Sequence, residues 1–188
     1  MNTSEKDKRA VIDILCQSFK ENKSVNFVVK QDHRKERRLR TLMAYSYYQG
    51  SRNGKVYLNE DKTACAIILY STKKKTSLLD IYWDLKLVLK CIGLMRIFKV
   101  LKRESFIKQN HPTFAFVHLW YIGVLPGLQG KGIGGNLMNE ILNEASKNNL
   151  PIYLETSTER NFKFYESLGF SLKNAFTDLG YKLHIYIK

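Results

Sequence analysis

The sequence has 188 residues, enough for one domain with a proper core and not comfortably enough for two. Hydrophobic residues make up 44% and charged residues 26%, a balance too apolar for a disordered chain. Lys and Arg number 31 against 17 acids, and the resulting +14 favours anionic partners: nucleic acid, a membrane surface or a phosphorylated cofactor.

The charges are scattered. The densest runs, His33 to Arg38 and Lys73 to Lys75, are not interleaved with aromatics as a strand-binding groove would be, so no specific nucleic-acid partner is expected. Cys16, Cys65 and Cys91 are far apart, with no CxxC or Cys/His spacing, which points to reduced thiols and no metal site. The opening MNTSEKDKRAVIDIL lacks an apolar core and a cleavage site, so a cytoplasmic protein is expected.

In chain order, Thr3 or Ser4 caps a first helix running to about Asn22, with Val11, Ile14, Leu15 and Phe19 at helical spacing. A second helix spans Lys35 to Tyr48, and Gly50 to Gly54 is turn chemistry. Strands at Lys55 to Asn59 and Ala64 to Tyr70 form a hairpin over the polar tip Glu60-Asp61-Lys62. Residues 77–110 are apolar yet carry Asp80, Asp84, Lys86, Lys90, Arg96 and Lys99, too many charges for a membrane span. A pair of amphipathic helices broken near Gly93 fits this segment, and a helix lying on a membrane surface is the sharper alternative. Then come a strand from Phe114 to Val124, a helix from Gly132 to Asn148, a strand from Ile152 to Thr156 and a short helix from Arg160 to Leu168. Strands Phe170 to Phe176 and Tyr181 to Ile187 close the chain. The order is that of a mixed α/β (α+β) single domain over residues 1–188.

The informative stretch is HLWYIGVLPGLQGKGIGGNLMNEIL. A strand ends at Val124, and glycines open a helix, so backbone N–H groups can approach an anion where the helix N-terminus adds partial positive charge and Lys131 a full one. Gly130 to Gly135 also fits G-x-G-x-x-G, with Glu155 about 20 residues on, as a dinucleotide fold would ask. Three features weigh against that reading. Leu125 to Gln129 separate the strand from the first glycine, only 53 residues follow Gly135, and those residues end in an antiparallel hairpin rather than parallel crossovers.

Read instead as Gln-x-x-Gly-x-Gly (Gln129, Gly132, Gly134), preceded by Val124-Leu125-Pro126, the loop resembles the cofactor loop of the GCN5-related N-acetyltransferase (GNAT) superfamily. Asn161 to Phe170 resembles that family's Asn-x-x-x-Tyr-x-x-x-Gly-Phe block. The phrase Tyr153-Leu154-Glu155-Thr156 and the helical insertion resemble the puromycin N-acetyltransferase-like branch. The resemblance implies a central, mostly antiparallel mixed sheet flanked by helices, with the insertion before the fourth strand. It implies acetyl-CoA as cosubstrate. Backbone groups of Ile122, Gly123 and Val124 would pair with the pantetheine arm, and the amides of Gln129, Gly130, Lys131, Gly132, Ile133 and Gly134 would take the pyrophosphate. Asn161, Phe164 and Tyr165 would contact the cofactor.

Acetyl transfer needs a neutral amine, a polarised thioester carbonyl and a proton for the departing thiolate. Tyr165 is the expected general acid, His118 the candidate base and Glu155 the alternative base, with ordered water able to replace either. Tyr82, Trp83, Trp120 and Tyr121 are aromatics that could line an acceptor pocket. The acceptor is expected to be a primary amine of a small molecule, with a peptide or protein amine as an alternative. A catalytically silent acyl-CoA-binding module is the competing reading. Monomer and homodimer are both left open.

Overall fold

Ser4 opens the first helix, its hydroxyl accepting the Asp7 amide, and α1 (Glu5–Phe19) buries Val11, Ile14 and Leu15. The computed structural model describes residues 4–73 and 77–188; Thr3, and Lys74 and Lys75 of the basic run, lie outside the described residues. Helix α1 stops short of Asn22 because Asn22 caps a second short helix, α2 (Lys23–Val28), accepting the Val25 amide at 3.0 Å. Helix α3 (Lys35–Asn53) runs past Tyr48 and through Gly50, where a turn was expected. A side chain at Gly50 would put its Cβ 2.4 Å from Ile67 Cγ2; glycine there lets α3 lie directly on the sheet, and that packing outweighs its poor helix propensity.

The hairpin pairs β1 (Gly54–Leu58) with β2 (Ala64–Tyr70). Asn59 Oδ1 fixes its tip by accepting the Thr63 and Ala64 amides. The insertion follows as α4 (Leu78–Leu87), started by a Ser77/Asp80 capping box, then a π-turn at Val88–Ile92. Gly93, at φ +82°, breaks the path, and a 3-10 turn (Leu94–Arg96) leads into α5 (Ile97–Gln109). The insertion therefore precedes the third strand of the described residues, not a fourth, because helices rather than a strand lead into the hairpin.

Strand β3 (Val117–Val124) begins three residues later than the sequence reading has it, and α6 (Ile133–Lys147), β4 (Ile152–Thr156), α7 (Phe162–Ser167), β5 (Ser171–Phe176) and β6 (Leu183–Ile187) complete the chain. The sheet order is β1-β2-β3-β4-β6-β5, antiparallel except for β3 beside β4. One face packs on α6 and α7 through Leu119, Leu137, Met138, Ile141, Leu154 and Tyr165. The other packs on α1 and α3 through Val11, Leu15, Leu39, Met43, Ile67 and Tyr121. Glu144 of α6 accepts hydrogen bonds from Tyr57 and Tyr70, tying that helix to the hairpin.

Candidate active site

Two features of β3 prepare the site. Between Leu119 and Tyr121 the strand carries one extra residue, Trp120, opposite the Ile67/Ile68 step of β2. The bulge shifts the alternation, so Val117, Leu119, Ile122 and Val124 all face the α6 side. On its other edge β3 pairs with β4 only at Val117–Ile152 and His118–Tyr153. Beyond that last rung the two parallel strands separate, and the edge of β3 toward β4 is left open.

The antiparallel ladder sorts the three backbone positions expected at that edge. The Leu125 amide donates to Thr63, so the 125/63 pair is hydrogen-bonded, 124/64 is not, 123/65 is and 122/66 is not. Gly123 therefore spends its N–H and C=O on β2, while Ile122 turns both toward the open side. The Val124 carbonyl already accepts from Ser18 Oγ (2.9 Å) and Gln129 Nε2 (3.0 Å). The side chain of Gln129 thus holds the glycine loop against the end of β3.

The loop itself is shaped for an anion. Gly130 and Gly132 sit at φ +78° and +80°, a left-handed conformation that side-chain-bearing residues adopt at a cost. Gly132 caps α6 without a side chain, and no amide from Gly130 to Gly135 donates a hydrogen bond among the described residues. Consecutive unclaimed donors at the positive end of a 15-residue helix suit a pyrophosphate.

At the rung where the strands part, His118 Nε2 lies 2.7 Å from Glu155 Oε2. The two side chains are 13% and 11% exposed. Burial alone would raise the Glu155 pKa, but the charge and hydrogen bond of His118, together with His111, more than offset it and hold the carboxyl well below the usual carboxylate range. An ionised carboxylate only accepts, so the shared proton sits on His118 Nε2. His118 Nδ1 has no hydrogen-bond partner among the described residues. His111, from the turn after α5, places Nε2 3.6 Å from Glu155 Oε1, too far for a hydrogen bond. Tyr153 packs against both histidines, with ring centroids at 4.9 and 5.4 Å, and the two imidazoles meet each other at 5.6 Å. Its buried hydroxyl is unpartnered, and burial followed by the Glu155 charge pushes its pKa far up. Nothing in the local spacing of His111 announces a second histidine near Glu155.

Tyr165 lies on the opposite, α6 side of the sheet, buried against Phe170 and Tyr186. Its hydroxyl makes no hydrogen bond among the described residues, and burial pushes the phenol pKa up. Phe164 packs against the same core, and Asn161 ends the 3-10 turn at Glu159–Asn161 that starts α7. The expected acid and base therefore approach the parted strands from opposite faces. Among the aromatics expected at an acceptor pocket, Trp83 stacks on Tyr48 and Trp120 meets Tyr45 edge-on, an aromatic wall between α3, α4 and β3. Tyr121 is buried against Phe19, while Tyr82 stands more than half exposed.

Residues 87–172, a little under half of the chain, match the family model of the acetyltransferase (GNAT) domain. An uncharacterized N-acetyltransferase of Schizosaccharomyces pombe is 38% identical over 55 residues, 29% of this chain and 23% of the yeast protein, so the match spans less than a quarter of that relative's length. A histone acetyltransferase HPA2-related acetyltransferase from Corynebacterium glutamicum superposes with a TM-score of 0.67 at 17% identity, over 99% of this chain and 93% of that one. Arylalkylamine N-acetyltransferase 2 from Aedes aegypti gives 0.64 at 17% identity, over 100% and 96%. The six-stranded sheet and its flanking helices are those of the GNAT fold, and the matched segment carries both β3 and the glycine loop.

Proposed function

We propose that this chain forms one domain that moves an acetyl group from acetyl-CoA to a primary amine of a small molecule. The observation that carries the reading is the row of unclaimed amides from Gly130 to Gly135, set beside strands that part at the His118–Glu155 pair. A diphosphate-bearing thioester fits this arrangement end to end: its anion at the loop, its amide-containing arm along the free edge at Ile122, its acyl group near His118. Acetyl-CoA supplies the activated acyl carbon; the protein supplies position and proton traffic.

His118 Nδ1 takes the proton of the incoming ammonium, with Glu155 fixing the tautomer and balancing the positive charge that forms on the ring. The amine nitrogen then bonds to the carbonyl carbon, the C–S bond breaks and the sulfur receives the Tyr165 proton; the second proton of the amine nitrogen returns through water to the Tyr165 phenolate, and His118 releases the first to solvent. A phenol whose pKa is raised by burial stays protonated until a thiolate develops beside it. Glu155 gives the cleft a negative charge in a chain of net +14, which suits a cationic amine. The aromatic wall of Tyr45, Tyr48, Trp83 and Trp120 suits an acceptor with an apolar or aromatic body, in keeping with the arylalkylamine enzyme of the same fold. The puromycin-like affinity rests only on Tyr153 to Thr156 and the insertion, and a cytoplasmic setting suits the reduced cysteines.

Calorimetric titration with acetyl-CoA, followed by free-thiol release in the presence of a panel of small amines, tests the reading. Binding with amine-dependent thiol release is expected. No binding would overturn the cosubstrate, and binding without release to any amine would reduce the chain to a silent module.

A further inference from the structure

Of the twelve large apolar side chains that stand exposed among the described residues, ten fall between Leu78 and Leu101. Leu78, Ile81, Leu85 and Leu89 follow one stripe along α4 and the π-turn, at steps of three and four. Met95, Phe98 and Leu101 follow one stripe through the 3-10 turn and α5. Met95 is 96% exposed, and Leu78 and Phe98 86% each.

Helix α4 is amphipathic the wrong way round for a helix facing water. Its acids turn toward α3: Asp80 is buried, paired with Arg52 and accepting from Tyr48, and Asp84, itself exposed, accepts from Tyr45. The apolar side points out. Around it Lys90, Lys99 and Lys102 are exposed, and Lys86 arches over the Trp83 ring at 4.4 Å. With Asp80 and Asp84 satisfied by α3, the outer face carries apolar groups and positive charge together.

We infer that the outer face of α4 and α5 docks on an anionic lipid surface, the two helices lying in its plane. No helix among the described residues is long and apolar enough to cross a membrane, and lysines flanking an apolar stripe are the pattern of a helix that rests at the headgroup boundary. Lysine stems can keep their charge among the headgroups while Leu78, Phe98 and Met95 enter the acyl boundary. A second copy of this chain is a poorer occupant, since it would bring the same lysines face to face.

The test is co-sedimentation of the whole chain with vesicles of phosphatidylcholine alone or mixed with phosphatidylserine. Binding at least about tenfold stronger to the anionic vesicles is expected, falling as salt rises. Met95→Glu with Phe98→Glu should lose about tenfold in partition, and Lys90→Glu with Lys99→Glu more than about twentyfold, at roughly fivefold for each lysine. Unchanged unfolding temperatures show that these exposed substitutions leave the fold intact. Absence of vesicle binding, equal binding to neutral and anionic vesicles, or variants that bind like the parent overturn the inference. A sedimentation mass of two chains that Met95→Glu returns to one assigns the face to self-association instead.

Discussion

Replacing Glu155 by Gln probes the pairing at the point where the strands part. The side chain keeps its volume but loses the charge that answers His118 at 2.7 Å in a site about nine-tenths buried. Removing the ionised partner of a buried, charge-assisted hydrogen bond costs about 1.5–3 kcal/mol, and the retained amide places this variant at the lower end. For a chain of this size that corresponds to an unfolding temperature lower by about 3–6 °C. The loss has a pH signature. The Glu155 pKa is depressed in the folded state, so its stabilisation is present above the ordinary carboxylate range and is lost as pH falls through and below that range. Parent and variant should therefore differ fully near pH 7 and converge on acidification. Turnover should suffer more than stability, because the Gln amide can donate to Nε2 and drive the imidazole proton onto Nδ1, where a lone pair is needed. A fall of about 10²–10⁴-fold in kcat/KM is expected. Thermal unfolding across pH and steady-state thiol release measure the two effects. A variant with parental kcat/KM would refute the dyad, and a pH-independent stability difference would refute the charge assignment.

Tyr165→Phe removes a hydroxyl without a partner, so stability should hold while turnover drops about 10²-fold with acetyl-CoA affinity retained; unchanged single-turnover rates would remove Tyr165 from the chemistry. Gly132→Ala meets no atom within 4 Å but must hold φ +80°, costing about 1–2 kcal/mol, and calorimetry should show weaker acetyl-CoA binding with little change in turnover at saturation. Gly123→Val would place its Cβ 3.0 Å from Ser18 Oγ and 3.5 Å from Phe19, and should destabilise by about 1–3 kcal/mol in denaturant melts through overpacking of α1 on β3.

Much of the architecture was legible because local chemistry and tertiary demand agree. Ala64–Tyr70 reads as a strand and is one, and the break at Gly93 is written in a residue that tolerates φ +82°. The glycine loop is legible for the same reason: positive φ at Gly130 and Gly132 needs glycine whatever the ligand. Where reading fails, a distant group decides. Gly50 looks like a turn until Ile67 of β2 is placed against it, and Asn22 looks like a helix end until Val25 is seen to need a cap. At the site, His118 and Glu155 were recognisable singly, but their pairing is a register fact of β3 on β4, and His111 arrives from the far end of the insertion. Gln129 shows the reverse: the residue stands out in the motif, yet its side chain serves the Val124 carbonyl rather than open solvent.

The extra residue at Trp120 works like a phase slip in a two-beat rhythm. Upstream, Val117 and Leu119 keep time with the α6 core; downstream, Ile122 and Val124 rejoin that face one beat late, leaving Tyr121 and Gly123 to α1. The strand is thus two short phrases with separate audiences, and side chains can be exchanged within either one without retuning the other. Length is free to change only at the slip itself. Excising Trp120 would set Leu119 and Tyr121 against Ile68 and Ile67 in an unbroken ladder, with Tyr121 still on α1 and Ile122 still on α6, whereas excising a residue beyond it would transpose all that follows to the wrong face.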